Sequence, residues 1–330
     1  MRKVAHDASE GGGGSRSRFF ELDVWVRTLF VGAGATGGYF GGRLAEAGKD
    51  ITFLVRPGRR AVLDQRGLRI RGPGGETVSH PKLITADSVD GPYDLVVLAV
   101  KSYALEQAMI DMAPAIGPRT VIVPLLNGMR HVDELAGAFG AERTWGGVCL
   151  IEATVDQDGD VVQLSSLHRI GYGPLDGGED ERLPEVTFAL SGEEFDSNPS
   201  HTIVEDMWGK WVYLAAAAGL TTLMRATIGD INAAPGGPGL GARMTDEAVA
   251  IATAAGHQPR PAVVDVVRRN LATTGPRTSS MYRDMAQGLP VEADAILGDL
   301  LAEGAKHDVP SPMLAAAYTN LSIYATKRAG

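Results

Sequence analysis

A glycine-rich loop near the start of the chain has the G-x-G-x-x-G spacing of a dinucleotide-binding turn. It consists of Gly32, Ala33, Gly34, Ala35, Thr36 and Gly37. In such a loop the first glycine permits a tight turn, the second lets the backbone approach a diphosphate, and the third allows close packing of strand and helix. A strand-like sequence precedes the loop and a helix-like sequence follows it. This context favours dinucleotide binding over a merely flexible glycine stretch.

An arginine lies where an NAD-binding protein usually carries an acidic residue. Arg56 follows the last glycine of the loop by about 20 residues, the distance at which Asp or Glu binds the ribose 2′-hydroxyl of NAD. Arg59 and Arg60 follow within one turn, and guanidinium groups pair with phosphate through parallel charge-assisted hydrogen bonds. A solvated helix start with incidental arginines is the alternative. The pattern predicts NADPH, whose 2′-phosphate these arginines would bind, in preference to NADH.

Further residues that could take part in a reaction are spread along the chain. Lys101 ends a continuous apolar run, and Asn127 follows the next such run within Asn-Gly-Met. Lys210 lies in the sequence Trp-Gly-Lys-Trp. Ser280 lies in Ser-Ser-Met, twelve residues before Glu292. An ammonium group brings a proton and a positive charge to a developing alkoxide, so a lysine suits the reduction of a carbonyl group.

The order and spacing of these features, from the glycine loop to Glu292, resemble the ketopantoate reductase (2-dehydropantoate 2-reductase) family over about residues 28–327. The resemblance implies NADPH-dependent reduction of a 2-oxo acid in a cleft between a Rossmann domain and a helical domain. It also implies that Lys210 is the general acid that protonates the carbonyl oxygen as the hydride arrives.

The resemblance implies a role for each of the other polar residues. Glu292 would hold Lys210 or a substrate hydroxyl, and Asn127 would orient that lysine and the nicotinamide ribose. Lys101 would help to place the cofactor, and Ser280 would bind the substrate carboxylate. Taken singly, each residue also has a structural interpretation, such as a snorkelling lysine, a turn asparagine, a helix-capping serine or a first-turn acid. The ordered set favours the catalytic interpretation.

The sequence departs from the family pattern on the helix that carries Lys210. Members that reduce ketopantoate have asparagines one and two turns after the lysine and a third further on, whereas this chain has Leu214, Ala218 and Ile228. Residues four apart share a helical face, so Leu214 and Ala218 are expected to form an apolar wall beside Lys210. The prediction is an altered, more apolar substrate pocket that lacks partners for the hydroxyl of ketopantoate.

The elements that must position these residues follow from the apolar pattern. From Thr28, strand-like runs alternate with helical stretches, which predicts an α/β fold with a parallel Rossmann sheet. Its strands are predicted at 28–32, 51–55, 94–101 and 120–126. Helices are predicted at 39–47, 59–66, 103–112 and 131–139. Three antiparallel strands are expected to extend the same sheet, at 147–155, 161–164 and 169–172.

A turn-rich segment ending at Ser200 precedes a sequence without strand-like runs. Helices are predicted there at 203–224, 241–255, 262–273, 293–307 and 311–327. The predicted domains are a flexible tail at 1–27, an NADP-binding Rossmann domain at 28–199 and an all-helical substrate domain at 200–330.

Composition limits the remaining functions. A chain of 330 residues suits two domains, and a formal net charge of −9 disfavours nucleic acid and anionic membranes as partners. A single cysteine, Cys149, can form neither an intrachain disulfide nor a thiolate zinc site, so the cytoplasm is the expected compartment and no metal is expected. The most apolar stretch, 211–224, is too short to cross a membrane. The expected partner is a small 2-oxo acid or ketone, and a homodimer is left open.

Two other functions remain open. One is a Rossmann-type dehydrogenase that acts on a β-hydroxy acid or an imine, and the other is a catalytically silent NADP-binding sensor. The pair Lys210 and Glu292 favours the ketoreductase. Steady NADPH oxidation with any 2-oxo acid would exclude the sensor.

Overall fold

The structure is a computed structural model that describes residues 26–329. Its strands are β1 Thr28–Val31, β2 Ile51–Leu54, β3 Leu68–Gly72, β4 Gly75–Ser79, β5 Lys82–Ile84, β6 Tyr93–Leu98, β7 Ile116–Pro124, β8 Trp145–Val155, β9 Val161–Pro174 and β10 Asp196–Pro199. Its α-helices are α1 Ala35–Glu46, α2 Pro57–Arg66, α3 Leu105–Met112, α4 Arg130–Phe139, α5 Leu183–Leu190, α6 Ile203–Met224, α7 Ile228–Ala233, α8 Leu240–Ala254, α9 Pro261–Leu271, α10 Ser280–Ala286, α11 Asp299–Lys306 and α12 Pro312–Ala329.

Five parallel strands form the first sheet, in the order β5-β2-β1-β6-β7. Strand β1 is apolar on both faces: Phe30 packs into one core cluster, and Leu29 and Val31 pack into another. It lies where the strand order reverses and leads directly into the glycine loop and α1. Ligands of this fold bind outside the carboxyl ends of the strands at that point. The predicted Rossmann fold is confirmed.

Strands β8 and β9 belong to a second sheet, in which β10-β9-β3-β4 is the strand order and β8 pairs with β9. The prediction that these segments extend the parallel sheet is therefore wrong. Strand β9 finds its hydrogen-bond partners in β8, β3 and β10 and needs none from the first sheet. The short strands β3, β4, β5 and β10 do not follow from the apolar pattern of the sequence.

Glycines hold α1 tightly between the two sheets. A Cβ atom at Gly41 would come within 2.6 Å of Phe53 in the first sheet, and one at Gly42 would come within 2.8 Å of Ile70 in the second. Larger side chains are excluded at both positions, which explains the glycines that follow the loop. The packing fixes the N-terminus of α1, and with it the loop, relative to both sheets.

The second half of the described chain is helical around α6, a helix of 22 residues. Its small residues Ala215–Ala218 are buried, and α8, α10 and α12 pack around the helix. The predicted helix at 293–307 begins with a π-helical turn, Asp294–Gly298, before α11. The sequence analysis does not predict α5, α7 and α10, which have only six to eight residues each and thus too few turns for a clear apolar period.

The folded part includes two residues that the sequence analysis assigned to the tail at 1–27. Val26 is buried in the core, and Arg27 pairs with Asp90 at 3.0 Å and lies over the ring of Tyr93. The remainder of the predicted tail, 1–25, lies outside the described residues. Within 26–329, every helix is too short or too polar to cross a membrane.

Candidate active site

A cavity of about 500 Å³ lies at the carboxyl ends of β1, β6 and β7 and is closed on its far side by α6 and α10. Among the predicted site residues, its walls contain Gly32, Gly34, Ala35, Thr36, Arg56, Lys101, Asn127, Lys210, Leu214, Ser280 and Glu292. Gly37 and Ala218 are the two predicted residues that the cavity does not reach. The fold thus brings residues up to 260 positions apart in the sequence to the wall of one cavity.

The glycine loop has the geometry that a dinucleotide needs. Gly32 has a φ of +99°, which favours glycine, and a Cβ atom at Gly37 would lie 2.1 Å from the Gly32 carbonyl oxygen. Gly34 is the N-cap of α1, and a Cβ atom there would meet no atom of the described residues within 4 Å other than those of its chain neighbours. The space in front of Gly34 is open cavity, and the first N–H groups of α1 have no acceptor within the helix. The residues therefore fit the diphosphate of a dinucleotide.

The three predicted phosphate-binding arginines have different surroundings. Arg56 is an exposed N-cap residue of α2 that borders the cavity. Arg59 instead donates to the carbonyl oxygens of Ala33 at 3.0 Å and Gly159 at 2.7 Å, and its burial lowers the pKa of its guanidinium. Arg60 pairs with Asp64 outside the cavity. Arg56 thus presents an exposed side chain at the cavity, whereas Arg59, which also lines the cavity, ties the glycine loop to the β8–β9 turn.

A buried carboxylate connects the two halves of the site. Glu292 is 6% exposed and accepts hydrogen bonds from the Ser102 N–H at 3.0 Å and from Asn127 Nδ2 at 3.3 Å. Its Oε2 also lies 3.3 Å from Lys101 Nζ, which pairs with Asp284 at 2.8 Å. Glu292 therefore holds Lys101 and Asn127 in this structure, whereas the resemblance implied that it holds Lys210 or a substrate hydroxyl.

The ion pairs keep Lys101 charged. Burial by itself would lower the pKa of Lys101, but the carboxylates of Glu292 and Asp284 raise it above its ordinary value. Lys101 follows strand β6, whereas Glu292 and Asp284 belong to the helical half. The pairing thus fixes the two halves of the chain to each other beside the cavity.

A close backbone approach sets the position of Asn127. The next residue, Gly128, has a φ of +81°, and a Cβ atom on it would lie 2.4 Å from the carbonyl oxygen of Ala295 in the π-helical turn. A side chain at this position would push the Asn127 loop away from the segment that carries Glu292. The Asn-Gly dipeptide is therefore a packing requirement of the site as well as a turn.

Lys210 lies on α6 with its ammonium group at the cavity. Its Nζ donates to Cys149 Sγ at 3.7 Å, and the thiol in turn contacts the carbonyl oxygen of Leu125 at 3.8 Å. Sulfur is a weak acceptor, and no carboxylate of residues 26–329 lies within 4 Å of this ammonium group. Lys210 is therefore able to donate to a ligand oxygen.

A neighbouring histidine cannot take over as the proton donor. His131 is 3% exposed, and burial together with the charge of Lys210 lowers its pKa to about 3. It is neutral at any ordinary working pH. Lys210, by contrast, presents an ammonium group to this end of the cavity.

The predicted apolar wall is only half present. Leu214 lines the cavity, but Ala218 is 1% exposed and packs in the helical core. A step of four residues advances about 40° around a helix, so two steps from Lys210 turn the side chain about 80° away from it. The assignment of Ala218 to the substrate wall is therefore wrong.

Three residues of the site were not predicted from the sequence. Cys149 and Arg283 line the cavity, and Asp284 holds Lys101. The spacing of Ser280, Arg283 and Asp284 places them on one helical face, a signal that could have found the last two. Cys149 lies on a strand and carries no such signal.

Comparison with known proteins gives a consistent family. The family model described as ketopantoate reductase PanE/ApbA matches residues 28–177, and the model of the ketopantoate reductase PanE/ApbA C terminal matches residues 202–325. The "Uncharacterized oxidoreductase YkpB" of Bacillus subtilis (strain 168) is 36% identical over 304 residues, which cover 92% of this chain and 100% of the relative.

Solved structures share the architecture. The crystal structure of 2-dehydropantoate 2-reductase from Geobacter metallireducens GS-15 has a TM-score of 0.82 and 28% identity, and the match covers 90% of this chain and 99% of that chain. A ternary structure of D-mandelate dehydrogenase with NADH and anilino(oxo)acetate has a TM-score of 0.83 over 92% of this chain and 100% of that chain. At 21% identity, this second match shows the fold alone.

Proposed function

The chain belongs to the ketopantoate reductase family, and from this premise we propose that it uses NADPH to reduce a 2-oxo acid with an apolar side chain, or a related ketone, to the hydroxy compound. As a member of this family it is an oxidoreductase that acts on CH–OH groups. The observation that carries the finer proposal is the cavity itself. It joins the glycine loop at one end to the ammonium group of Lys210 at the other, which has no carboxylate partner among residues 26–329.

In the proposed reaction, bound NADPH supplies a hydride to the carbonyl carbon of the substrate. Lys210 Nζ donates a hydrogen bond to the carbonyl oxygen and transfers its proton there as negative charge develops. The contact with Cys149 Sγ is weak, so a carbonyl oxygen can replace it at little cost. The released Lys210 amine then regains a proton from solvent before the next turnover.

The carboxylate network positions the groups around this reaction. Glu292 fixes the amide of Asn127 by accepting from its Nδ2, which leaves the amide oxygen free to accept from a ligand hydroxyl or from Lys210. Lys101 is held by Glu292 and Asp284 at the rim between the loop and the helical half. These residues pre-organise the site, so little reorganisation is needed when cofactor and substrate bind.

Cofactor preference depends on Arg56. We expect NADPH to bind at least tenfold more tightly than NADH, because a charge-assisted contact with the 2′-phosphate contributes about 1.5–3 kcal/mol. Arg56→Ala should narrow this difference, whereas Arg60→Ala should leave it unchanged, since Arg60 already pairs with Asp64 outside the cavity. The dissociation constants of both nucleotides can be measured by fluorescence titration. Equal affinity of the unaltered protein for NADPH and NADH would contradict the assignment.

Substrate preference depends on Leu214. We expect a low activity on ketopantoate, because its hydroxyl group would face the Leu214 side chain, and an unpaired hydroxyl in a closed site costs about 1–3 kcal/mol. Leu214→Asn should raise the ratio of kcat/KM for ketopantoate to that for the best apolar substrate, by about tenfold or more. Ala218→Asn is the matched control: it buries an amide in the core, so it should destabilise the fold without raising the ratio. An unaltered protein with a kcat/KM on ketopantoate of about 10⁴ M⁻¹s⁻¹ or above would contradict this view of Leu214.

One screen tests the proposal as a whole. The absorbance loss of NADPH is followed with a panel of 2-oxo acids, including ketopantoate and acids with alkyl or aryl side chains, and with the matching ketones. Turnover of an apolar 2-oxo acid above ketopantoate is the expected result. Failure of the entire panel, with NADPH binding intact, would favour the silent sensor.

A further inference from the structure

Arg283 brings a second positive charge to the substrate end of the cavity. It lies on α10 three residues after Ser280, and both side chains line the cavity together with Lys210. Residues three apart on a helix are neighbours on one face, so a single small ligand can reach both. The Ser279 hydroxyl bonds to Thr221 and the Tyr282 N–H, whereas the Ser280 hydroxyl makes no hydrogen bond with residues 26–329 and is free to donate.

Two nitrogen atoms of the Arg283 guanidinium, Nε and Nη2, are not engaged by the described residues. Nη1 donates to the Thr278 carbonyl oxygen at 3.1 Å, and no hydrogen bond to the described residues is made by Nε or Nη2. Within the same part of the chain, no carboxylate oxygen lies within 4 Å of this guanidinium. The anchored Nη1 fixes the plane of the group, and the other two nitrogens present the paired N–H geometry that matches a carboxylate.

The surroundings of Arg283 make an anionic ligand favourable. Burial lowers the pKa of Arg283, whereas Glu152, Asp284 and Tyr213 raise it, and the net direction is downward. A guanidinium nevertheless stays protonated in proteins. A half-buried charge without a close counterion is costly, and a bound carboxylate removes that cost.

The other positively charged groups at the cavity have partners or another role, which leaves Arg283 to bind a substrate carboxylate. Lys101 is already paired with Asp284 and Glu292, and Arg59 is bound to backbone carbonyl oxygens. In the proposed function Lys210 serves the carbonyl oxygen of the substrate. In a 2-oxo acid the carboxylate is bonded directly to the carbonyl carbon, so the substrate anion lies near Lys210 but needs another group to bind it.

We propose that Arg283, together with Ser280, binds the carboxylate of the substrate and thereby selects 2-oxo acids over neutral ketones. This inference rests on the proposed function and makes Arg283 a specificity-determining residue for it. With the apolar Leu214 on the neighbouring wall, the matching substrate is a 2-oxo monoacid whose side chain is alkyl or aryl.

The first test compares an acid with its neutral counterpart. The best 2-oxo acid from the screen and the ketone in which methyl replaces its carboxylate are assayed with Arg283→Gln and Arg283→Lys. Arg283→Gln should lower kcat/KM for the acid by about 10- to 100-fold, mostly through KM, and change that for the ketone less than threefold. Arg283→Lys should be intermediate, because lysine keeps the charge and loses the paired geometry.

Controls separate recognition from folding. Arg277→Gln is the matched control, since Arg277 belongs to the same segment but does not line the cavity, and it should leave both substrates unaffected. The affinity for NADPH should be the same in all variants. An equal loss of kcat/KM for the acid and for the ketone in Arg283→Gln would show a structural role and overturn the inference. An unchanged KM of this variant for the acid would also overturn it.

A second test needs no turnover. Oxamate is an analogue of a 2-oxo acid whose carbonyl group is not readily reduced, and its binding to the NADPH complex is measured by calorimetry. Its affinity should fall by about 10- to 100-fold in Arg283→Gln. If the unaltered protein and Arg283→Gln bind oxamate with equal affinity, the inference is overturned whatever the turnover shows. Weaker oxamate binding by the variant, with no reduction of any 2-oxo acid by the unaltered protein, would instead support the anion site and reject the proposed function.

Discussion

Replacing Lys210 by alanine should lower kcat by about 10²- to 10⁴-fold while the affinity for NADPH stays almost unchanged. The ammonium group lies at the substrate end of the cavity, on α6, away from the glycine loop on which the diphosphate would rest. The remaining neighbours cannot replace it, because His131 is neutral and Lys101 is engaged by two carboxylates. Single-turnover kinetics with the best 2-oxo acid and a fluorescence titration with NADPH separate the two effects.

An exposed lysine elsewhere provides the control for Lys210. Lys306 on α11 pairs with Glu303 at the surface and lies outside the cavity, so Lys306→Ala should keep kcat within a factor of two. Normal turnover by Lys210→Ala would mean that Lys210 is only a helix-surface lysine. A loss of NADPH affinity parallel to the loss of kcat would mean that it belongs to the cofactor site.

Gly34→Val should weaken NADPH binding by about 10²-fold or more, because the new side chain would occupy the space in front of the N-terminus of α1 and keep the diphosphate from several charge-assisted hydrogen bonds. The fold should tolerate the change. In the part of the chain that the structure describes, no atom beyond the two chain neighbours lies within 4 Å of the added Cβ, and the backbone at Gly34 is extended, a conformation that any residue adopts. Titration with NADPH and a melting curve of the protein without nucleotide measure the two properties.

The chain offers a matched glycine for this experiment. Gly137 on α4 is exposed, and a Cβ atom there would also meet no neighbour within 4 Å, but it lies outside the cavity. Gly137→Val should therefore bind NADPH like the unaltered protein. Unchanged NADPH affinity in Gly34→Val would reject the glycine loop as the diphosphate site.

Local patterns in the sequence determined the architecture. Continuous apolar runs can be buried on both faces only in a sheet covered on each side, so strands such as β6 predicted the parallel sheet that the structure contains. The glycine spacing predicted the turn between β1 and α1 because each glycine answers a steric requirement within a few residues. The ordered set of polar residues predicted the family, and the structure lines one cavity with most of that set.

Pairings between distant segments were decided only by the tertiary structure. Strands β8 and β9 pair with each other as an antiparallel hairpin, but nothing local specifies which sheet accepts this hairpin, and β9 joins β3 and β10. The family resemblance assigned Glu292 to Lys210 or to a substrate hydroxyl. The folded chain instead places it against Lys101 and Asn127, because the packing of Gly128 on Ala295 sets that distance.

On α6, the helix that carries Lys210, the sequence pattern likewise did not determine which residues face the cavity. Helical spacing placed Leu214 and Ala218 on one face, but the boundary between cavity and core depends on what packs against α6, and it falls between these two residues. Arg283 lies on a helix too short to be predicted, and its free donors follow from the absence of a carboxylate within 4 Å in the described chain. Sequence patterns fix the chemistry that a segment can offer. Which group remains available for a ligand depends on the neighbours that folding brings to it, because a charged or polar side chain binds the nearest partner it is given.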